Sequence, residues 1–405
     1  MAAYVGLAVI GALALLVLWY EGLLKRRGAL ILSVVLIAGA MVLRGFCMEH
    51  ETADYRDFLT KWVQFFRDNG GVKALSQSVG NYNVPYLYFL ALASYIRVRD
   101  LYLIKLFSVL FDVALAWGIL RLARRFAGEM GQFVGFLVTL FLPTVVLNGA
   151  YWGQCDSVYT AFAVWSVAFA LEDKPARAVI AVALSFAFKL QAVFLMPVFL
   201  IFIFAKKLKW YHLGLFPLTY LVVVLPAVVA GRPLLDTVLL YWNQAGTVGS
   251  GLNYNSPSMY ALVPYAAEST GLSVLGIAAA FAFLLLLFVL CYFQRKKLND
   301  RALLVCALLV SVAVPFLLPH MHDRYFFIAD VLSLVLAVAV PQLTHVPVCV
   351  SFASLLGYHA YLRGRYLLPM RYGSIALLIV IMTLALYLSA LLSGKKRLTN
   401  RRKLV

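Results

Sequence analysis

One stretch of this chain concentrates side chains that could do chemistry. Residues 47–85 hold Glu49, Glu51, Asp54, Asp57 and Asp68, five of the chain's 17 acidic residues. A carboxylate at a membrane surface costs little free energy, but a cluster of carboxylates beside a hydrocarbon-rich protein usually has a function. The alternative for this stretch is a hydrated loop with an interfacial anchor.

Further polar candidates follow at intervals between apolar runs. They are Tyr82, Trp152, Gln154, Asp156, Lys189, Gln191, Asn253, Asn255, His320, His322, Asp323 and Arg324. The topology that the basic clusters predict places the ionisable side chains of this set at the outer ends of helices or in outer loops. A transporter would hold its ionisable groups near the bilayer midplane, and no internal repeat is visible. The pattern therefore indicates chemistry at the membrane–water boundary, on a substrate that is part lipid and part polar.

Apolar runs dominate the elements that must position these residues. The chain has 405 residues, of which 64% are hydrophobic, and its mean hydropathy is +0.90. Runs of about 20 apolar residues recur from end to end, and each is long enough to span a bilayer. We therefore expect an all-α, polytopic integral membrane protein with about 11–14 transmembrane helices in a single domain, residues 1–405.

The basic residues set the expected orientation. The net charge is +18, but the charges lie in short clusters between apolar runs, as in cytoplasmic loops, which argues against nucleic-acid binding. Lys25, Arg26 and Arg27 place the N-terminus and residues 47–85 outside. A second external loop is expected at residues 231–265 and a basic cytoplasmic tail at residues 394–405. The same charge would attract anionic membrane lipids.

Two segments do not fit simple crossings. Arg121–Arg125 would lie outside if the segment near residues 84–98 crossed fully, so a re-entrant or interfacial segment is favoured there. The run from Ala178 to Phe204 is too long for one helix and starts and ends inside. We expect it to break near Lys189.

Within the acidic loop, apolar side chains recur at helical spacing. Phe58, Trp62, Phe65 and Phe66 predict an amphipathic helix lying in the membrane interface, with Asp54 near its start. Lys105 and Asp112, two helical turns apart on one face, form a further candidate pair, with a structural intramembrane ion pair as the alternative.

The five cysteines show no metal or redox spacing. Cys291, Cys306 and Cys349 lie in apolar runs and are expected to fill the core. Cys47 and Cys155 map to the outer face, where a disulfide between them stays open.

Four patches in order resemble the GT-C superfamily of polytopic glycosyltransferases, most of all bacterial relatives of the GPI mannosyltransferase II family. Asp54-Tyr55 with Trp62 is similar to the first-loop acidic motif. The segment from Asn148 to Tyr159 is similar to the Trp-Gly-Gln-x-Asp-Ser motif. Phe188-Lys189-Leu190-Gln191 with Pro197 resembles the Lys-x-Gln helix, and His320 to Tyr325 resembles the late His-x-His motif. The first helix is an addition to the common plan.

This resemblance implies inverting transfer of a hexose, with mannose as one candidate, from a polyprenyl phosphate to a cell-envelope glycan or lipid. The expected location is the plasma membrane, with the active site facing the extracytoplasmic side. By resemblance Asp54 is the base that takes the acceptor's proton, and Asp57 is the fallback. The leaving phosphate needs cationic or donor groups, for which the candidates are Arg324, His322, His320 and Lys189. The candidates for binding the sugar or the acceptor are Tyr82, Trp152, Gln154, Asp156, Gln191, Asn253 and Asn255.

Several of these residues also have a non-functional interpretation. Asp57 fits a solvated surface charge, and His322 fits a residue that caps or packs a helix end. Asn253 and Asn255 follow glycines and precede Pro257, a context typical of turns.

No metal site is convincing, because His320, His322 and Asp323 are too closely spaced to complete a coordination shell unaided. A Mg²⁺ or Mn²⁺ site completed by Asp54 or Asp156 stays open.

Two other classes of function stay open. A transporter or flippase of a lipid-linked sugar would share the charged cavity but need no base. A non-catalytic scaffold subunit would tolerate changes at Asp54 and Arg324.

Overall fold

The computed structural model describes residues 1–245, 249–263 and 268–393, and nearly all regular structure in these ranges is helical. The predicted all-α class is therefore confirmed. The predicted basic tail, residues 394–405, lies outside the described residues, as do parts of the predicted external loop at residues 231–265.

The helices follow one another along the whole described chain. In the first half they are α1 (Ala2–Tyr20), α2 (Arg27–Gly45), α3 (Thr60–Asp68), α4 (Val84–Ala93), α5 (Asp100–Ala123), α6 (Glu129–Phe141), α7 (Pro143–Val146), α8 (Asp156–Leu171) and α9 (Pro175–Phe188). In the second half they are α10 (Val198–Phe204), α11 (Leu215–Val229), α12 (Leu234–Val238), α13 (Leu240–Ala245), α14 (Thr270–Phe293), α15 (Asp300–Leu317), α16 (Phe327–Ala339), α17 (His345–Arg363) and α18 (Arg371–Ser393).

Shorter segments connect them. Two turns are π-helical, Tyr55–Leu59 and Leu147–Trp152. Six are 3₁₀ turns: Gly71–Ser76, Leu190–Phe194, Trp210–Gly214, Met259–Leu262, Arg295–Lys297 and Pro341–Leu343. Two short strands, β1 (Asn253–Tyr254) and β2 (Met321–His322), pair in parallel.

Seven helices in the described ranges are long and apolar enough to cross a membrane, and the bent pair Glu129–Phe141 with Pro143–Trp152 is an eighth candidate. The seven are Ala2–Tyr20, Arg27–Gly45, Asp100–Ala123, Trp210–Val229, Thr270–Phe293, Asp300–Leu317 and Arg371–Ser393. They indicate a multi-pass membrane protein. Five shorter apolar helices accompany them, and the expected number of about 11–14 crossings is reached only if at least three further helices also cross.

The short segment at residues 84–98 contains only the ten-residue helix α4. Such a helix is about 15 Å long, against about 30 Å of hydrocarbon to be crossed. Its length favours the re-entrant or interfacial interpretation over a full crossing.

The described chain divides into two compact units. The first consists of Met1–Val193 and Trp210–Gly249, and the second of Phe194–Lys209 and the described residues from Ser250 onward. In the first unit, α5 packs against α1, α6 and α8. Most residues of α5 are buried, including the polar Lys105, Ser108 and Asp112, so this helix lies inside the unit rather than at its edge.

The prediction that Lys105 and Asp112 pair with each other is wrong, because each has another partner. The Asp112 Oδ2 accepts hydrogen bonds from Arg44 Nη2 at 2.8 Å and Arg44 Nε at 3.0 Å, and all of these side chains are buried. Lys105 Nζ instead donates to the backbone oxygens of Cys47 and His50, both at 2.6 Å. The structural alternative, a buried ion pair joining helices, applies to Asp112 with Arg44 of α2.

The helix predicted in the acidic loop is present, but its buried face differs from the expected one. Tyr55, Leu59, Val63 and Phe66 are buried at spacings of four, four and three residues. They pack inside the first unit, so Phe66 belongs to this buried face and not to an interfacial one. Phe58 is 52% exposed.

The break predicted near Lys189 is confirmed. Helix α9 ends at Phe188, and Lys189 has an extended backbone with φ −156° and ψ 135°. A 3₁₀ turn begins at Leu190. The N–H of Lys189 still donates to the oxygen of Ser185 at 3.1 Å, so Lys189 caps the end of α9 and its extended backbone leads the chain out of the helix.

In the second unit, α15 and α16 form the interior and are buried almost throughout. Helix α17 packs against both α16 and α18, and α18 also packs on α15. The pair β1–β2 joins the Asn253 segment to the His322 segment. None of the five cysteines forms a disulfide, so the bridge left open between Cys47 and Cys155 is absent.

Candidate functional site

The carboxylate of Asp54 lies at the centre of a cluster in the first unit. Its Oδ2 accepts a hydrogen bond from Trp152 Nε1 at 2.8 Å and another from Gln154 Nε2 at 2.6 Å. Trp152 is fully buried, whereas Asp54 is half-buried. Two residues of the Trp-Gly-Gln segment therefore orient the predicted base, although about a hundred residues of chain separate them.

Both partners sit at π-helical turns. Asp54 directly precedes the turn Tyr55–Leu59, and Trp152 is the last residue of the turn Leu147–Trp152. A π-helical turn widens the helix locally and is frequently found at functional sites. Gly153 follows with φ +82°, a left-handed conformation that glycine adopts without strain, and it turns the chain so that Gln154 also points toward Asp54.

Aromatic side chains extend the cluster from Gln154. Tyr82 donates its hydroxyl to Gln154 Oε1 at 3.2 Å, and its ring makes an edge contact with Trp62 at 5.5 Å between centroids. Gly80 has φ +63°, and a Cβ there would approach the Trp62 ring to 2.4 Å. Glycine is thus required for the close approach of this loop to Trp62.

Asp156 and Lys189 form a buried ion pair beside these residues. Lys189 Nζ contacts Asp156 Oδ1, and Asn148 Nδ2 donates to Asp156 Oδ2 at 2.7 Å. The ammonium group also lies over the rings of Tyr82 at 5.7 Å and Tyr159 at 5.8 Å. The structure therefore brings the predicted residues Tyr82, Trp152, Gln154, Asp156 and Lys189 together with Asp54.

One face of α5 holds the two segments that carry the cluster. Lys105 fixes the backbone of residues 47–50, Ser108 Oγ donates to the backbone oxygen of Gln154 at 2.6 Å, and Ser157 Oγ donates to Asp112 Oδ1 at 2.6 Å. These three residues of α5 follow the i, i+3, i+7 spacing of a single helical face. In addition, Thr52 Oγ1 donates to the backbone oxygen of Trp152 at 2.9 Å.

The other carboxylates of the acidic loop have different surroundings. Asp57 is exposed, as its alternative interpretation as a solvated charge expects. Glu49 accepts hydrogen bonds from Tyr102 at 2.6 Å and from Arg99 at 2.8 Å, and Glu51 pairs with Arg99. The Tyr102 hydroxyl, together with Arg99, lowers the pKa of Glu49. Glu49 and Glu51 therefore anchor the loop to the start of α5.

Gln191 lies apart from these contacts. Its side-chain oxygen is buried and has no hydrogen-bond partner among the described residues. A buried carbonyl oxygen without a donor is unusual, and a hydroxyl of a ligand would satisfy it. Its role as a sugar-binding residue stays a prediction.

The second unit holds the other predicted residues. The ring of His322 stacks on Tyr254 at 4.7 Å between centroids and lies 5.3 Å from Tyr325. His320 has a left-handed backbone, φ +62°, and its Nδ1 donates to the oxygen of Gly251 at 2.8 Å while Nε2 lies 3.4 Å from Ser273 Oγ. His320 thus joins its own turn to the Gly251 segment and to α14.

Asn253 and Asn255 lie in the segment that precedes Pro257. Asn253 Oδ1 accepts from the N–H of Ser256 at 2.7 Å, and its Nδ2 donates to the Ser256 oxygen at 2.9 Å. Asn255 has φ +57° and accepts a hydrogen bond from Tyr366 at 2.7 Å. The local bonds of Asn253 and the left-handed backbone of Asn255 match the turn-forming alternative, while Tyr366 ties Asn255 to the segment that follows α17.

Arg324 and Asp323 follow in the same turn. Arg324 Nη1 lies 3.5 Å from Asp323 Oδ1, and Asp323 is 1% exposed whereas the Arg324 side chain is 18% exposed. Among the described residues, no group of three or more His, Cys, Asp or Glu side chains is arranged to hold a metal ion.

Several residues that support the predicted site residues were not predicted from the sequence. His50 stacks on Tyr151 at 3.8 Å, Arg44 holds Asp112, and Tyr254 supports His322. A signal existed for Arg44, because a charge at the end of an apolar run is a functional or structural candidate. No comparable signal marks the ring contacts, since they join residues distant in sequence.

Comparisons with known proteins add no assignment. A search with protein-family models and a search of curated proteins both find no match to this chain.

Proposed function

We propose that this protein is an inverting, GT-C-type glycosyltransferase that moves a hexose from a polyprenyl-phosphate donor to a cell-envelope glycan or lipid acceptor. The observation that carries the proposal is the half-buried Asp54, whose carboxylate is oriented by the N–H groups of Trp152 and Gln154. A general base needs to be held at a defined position by a further group, and this arrangement does so. The reaction takes place at the extracytoplasmic face of the plasma membrane.

In this mechanism Asp54 accepts the proton of the acceptor hydroxyl as its oxygen attacks the anomeric carbon, and the lipid phosphate leaves with both bonding electrons. Tyr82 and Gln154 carry the hydroxyl and amide groups that bind sugar hydroxyls. The charge of Lys189 is already matched by Asp156. We therefore assign Lys189 to holding Asp156, Tyr82 and Tyr159 in place rather than to binding the donor phosphate.

The His320–Arg324 turn of the second unit is a separate group of candidate phosphate-binding residues. Both ring nitrogens of His320 already contact Gly251 and Ser273. We therefore assign Arg324, together with the nearby His322, to binding the donor phosphate. An arginine suits a phosphate because its planar guanidinium donates two parallel hydrogen bonds.

The experiment is transfer of radiolabelled sugar from a panel of polyprenyl-phosphate hexoses by purified protein, with an envelope-lipid extract as acceptor. We expect transfer from one donor, and a loss of about 10²–10⁴-fold in Asp54→Asn because the proton acceptor is removed. Asp57→Asn is the matched control: it removes a carboxylate one helical turn away, and its rate should stay within about twofold of wild type.

Two outcomes would contradict the proposal. Equal rates in wild type and a well-folded Asp54→Asn would exclude Asp54 as the base. Absence of transfer from every donor, together with movement of lipid-linked sugar across a vesicle bilayer, would identify a flippase instead.

A further inference from the structure

Arg232 is a buried arginine at the end of a candidate membrane span in the first unit. The span Trp210–Val229 ends three residues earlier, and the N–H of Arg232 donates to the oxygen of Ala227 at 3.0 Å. The preceding Gly231 has φ +109°, which turns the chain sharply away from the helix. The residue is 6% exposed, so its guanidinium lies inside the protein at the level where a membrane span meets the interface.

This guanidinium has no ion-pair partner among the described residues. Its Nη2 donates to Ser78 Oγ at 3.3 Å, but Nη1 is buried and has no hydrogen-bond partner among the described residues. No described carboxylate lies within ion-pairing distance of it; the charge of the exposed Asp236 acts only from farther away. Burial lowers the pKa of Arg232, and the charges of Tyr88 and Asp236 oppose that change.

Such an arrangement is costly for a protein to keep. A buried cation normally finds a carboxylate or several hydrogen-bond acceptors, because otherwise its desolvation is not offset. Among the described residues, the Ser78 hydroxyl is the only side-chain acceptor within hydrogen-bond distance of this guanidinium. Arg44, which is also buried, is paired with the Asp112 carboxylate, and an anionic ligand would give Arg232 the same kind of partner.

We propose that Arg232 and Ser78 form a binding site for a phosphate group, carried by a lipid headgroup or free in solution. Arginine matches a phosphate through parallel N–H donors, and the Ser78 hydroxyl can turn to donate to a phosphate oxygen. The position just beyond a membrane span is the depth of lipid phosphates. Ser78 and Gly80 are exposed, so the site is reached through the loop that covers it.

The site does not rest on the proposed sugar transfer. Arg232 contacts Ser78 in the loop of residues 76–80, which leads to Tyr82 of the Asp54 cluster. A bound phosphate that holds Ser78 would therefore also restrain this loop. Gly231 and Ser76 lie close together there: a Cβ added at Gly231 would come within 3.4 Å of the Ser76 Cβ.

The test is the thermal unfolding midpoint of the purified full-length protein in an uncharged maltoside detergent, titrated with three probes. The probes are inorganic phosphate, dihexanoyl phosphatidic acid and, as the phosphate-free control, dihexanoylglycerol. A ligand that binds only the folded state stabilises it by RT ln(1 + [L]/Kd), so the midpoint rises with the logarithm of ligand concentration once that concentration exceeds Kd. We expect such an increase with phosphatidic acid and none with dihexanoylglycerol. An equal increase with inorganic phosphate identifies the phosphate group itself as the ligand; an increase with the lipid alone identifies a headgroup site.

Variants separate a binding role from a structural one. Ser78→Ala should raise the half-saturating concentration by about three- to tenfold, and Arg232→Met should abolish the increase. Ser76→Ala is the matched control: its hydroxyl bonds to the Lys73 oxygen at 3.1 Å, in the same loop, and its titration should equal that of wild type. Without probe, Arg232→Met should unfold at or above the wild-type temperature, because an uncompensated buried charge is removed.

Two results would overturn the proposal. One is a wild-type protein whose midpoint responds to neither phosphate-bearing probe. The other is an increase that is the same in wild type, Ser78→Ala and Ser76→Ala. If Arg232→Met does not fold, the comparison of the two serine variants decides the matter alone.

Discussion

Asp54 and Asp57 show how two carboxylates one turn apart reach different environments. Asp54 meets the indole N–H of a fully buried Trp152, whereas Asp57 is exposed. A carboxylate beside a buried donor has a defined orientation, while an exposed carboxylate samples many rotamers. This difference in order, rather than the residue type, separates the candidate base from a solvated charge.

A substitution at Gly80 tests the packing of Trp62 against Tyr82. Gly80→Ala would place a Cβ 2.4 Å from the Trp62 ring and force that ring, and Tyr82 against it, to move. We expect the free energy of unfolding to fall by about 2–4 kcal/mol from overpacking and backbone strain together. The measurement is denaturant unfolding in detergent, with sugar transfer assayed in parallel.

Gly70→Ala is the matched control for that substitution. Gly70 also has a left-handed backbone, φ +84°, but a Cβ there would meet only Lys73 side-chain atoms at 3.9 Å. Gly70→Ala should therefore lower the free energy of unfolding by roughly 1 kcal/mol, from backbone strain alone, and should retain sugar-transfer activity. Equal losses of stability and activity in both variants would show that contact with Trp62 is unimportant.

At the scale of elements, α5 links the membrane helices to the candidate site. Its residues Lys105, Ser108 and Asp112 hold two segments, residues 47–50 and 154–157, and neither segment is adjacent to α5 in sequence. Buried polar groups of this kind are stable only when each has its partners. The positions of Asp54 and Gln154 thus depend on a single helix that contributes no candidate catalytic group.

The Arg44–Asp112 pair predicts a specific double-mutant cycle. Arg44→Met leaves a buried, uncompensated carboxylate and should cost about 3–5 kcal/mol in the free energy of unfolding. Asp112→Asn alone should cost a similar amount, since it leaves Arg44 unpaired. The double variant removes both charges, keeps an oxygen for Ser157, and should recover most of the loss.

Unfolding in detergent measures this cycle, with Arg99→Met as a control on an exposed ion pair. The control should lose much less stability than Arg44→Met, because exposed pairs contribute little. Additive losses in the double variant would mean that Arg44 and Asp112 act independently, contrary to the pairing described.

At the scale of the whole molecule, short basic clusters alternate with candidate spans and set the expected orientation. We expect residues 47–85 outside and residues 295–301 inside. In a chain whose five cysteines are replaced by serine, a membrane-impermeant maleimide should label Gln77→Cys in intact cells but not Lys296→Cys. Both residues are exposed, so each should be labelled after permeabilisation. Labelling of Lys296→Cys alone in intact cells would reverse the orientation and move the Asp54 cluster to the cytoplasm.

Part of this arrangement was predictable from local signals. The helical class follows from apolar runs of membrane-spanning length, and the break at Lys189 from an over-long run that contains Lys189 and Gln191. The Trp-Gly-Gln-x-Asp-Ser segment and Asp54 stood out as polar residues in apolar surroundings. Their direct contact, at 2.6 and 2.8 Å, was implied only by their common assignment to the outer face.

The sequence by itself determined which residues are helical, where helices break and which polar groups are too costly to be accidental, because these depend on hydropathy and near neighbours. Tertiary structure alone decided the partners: Arg44 rather than Lys105 for Asp112, Asp156 for Lys189, and no carboxylate among the described residues for Arg232. It also decided that Phe66 is buried, that His320 bonds to Gly251 and that Asn255 accepts a hydrogen bond from Tyr366. The physical reason is that hydrogen bonds and ion pairs act over about 3 Å in space, at sequence separations that no local pattern encodes.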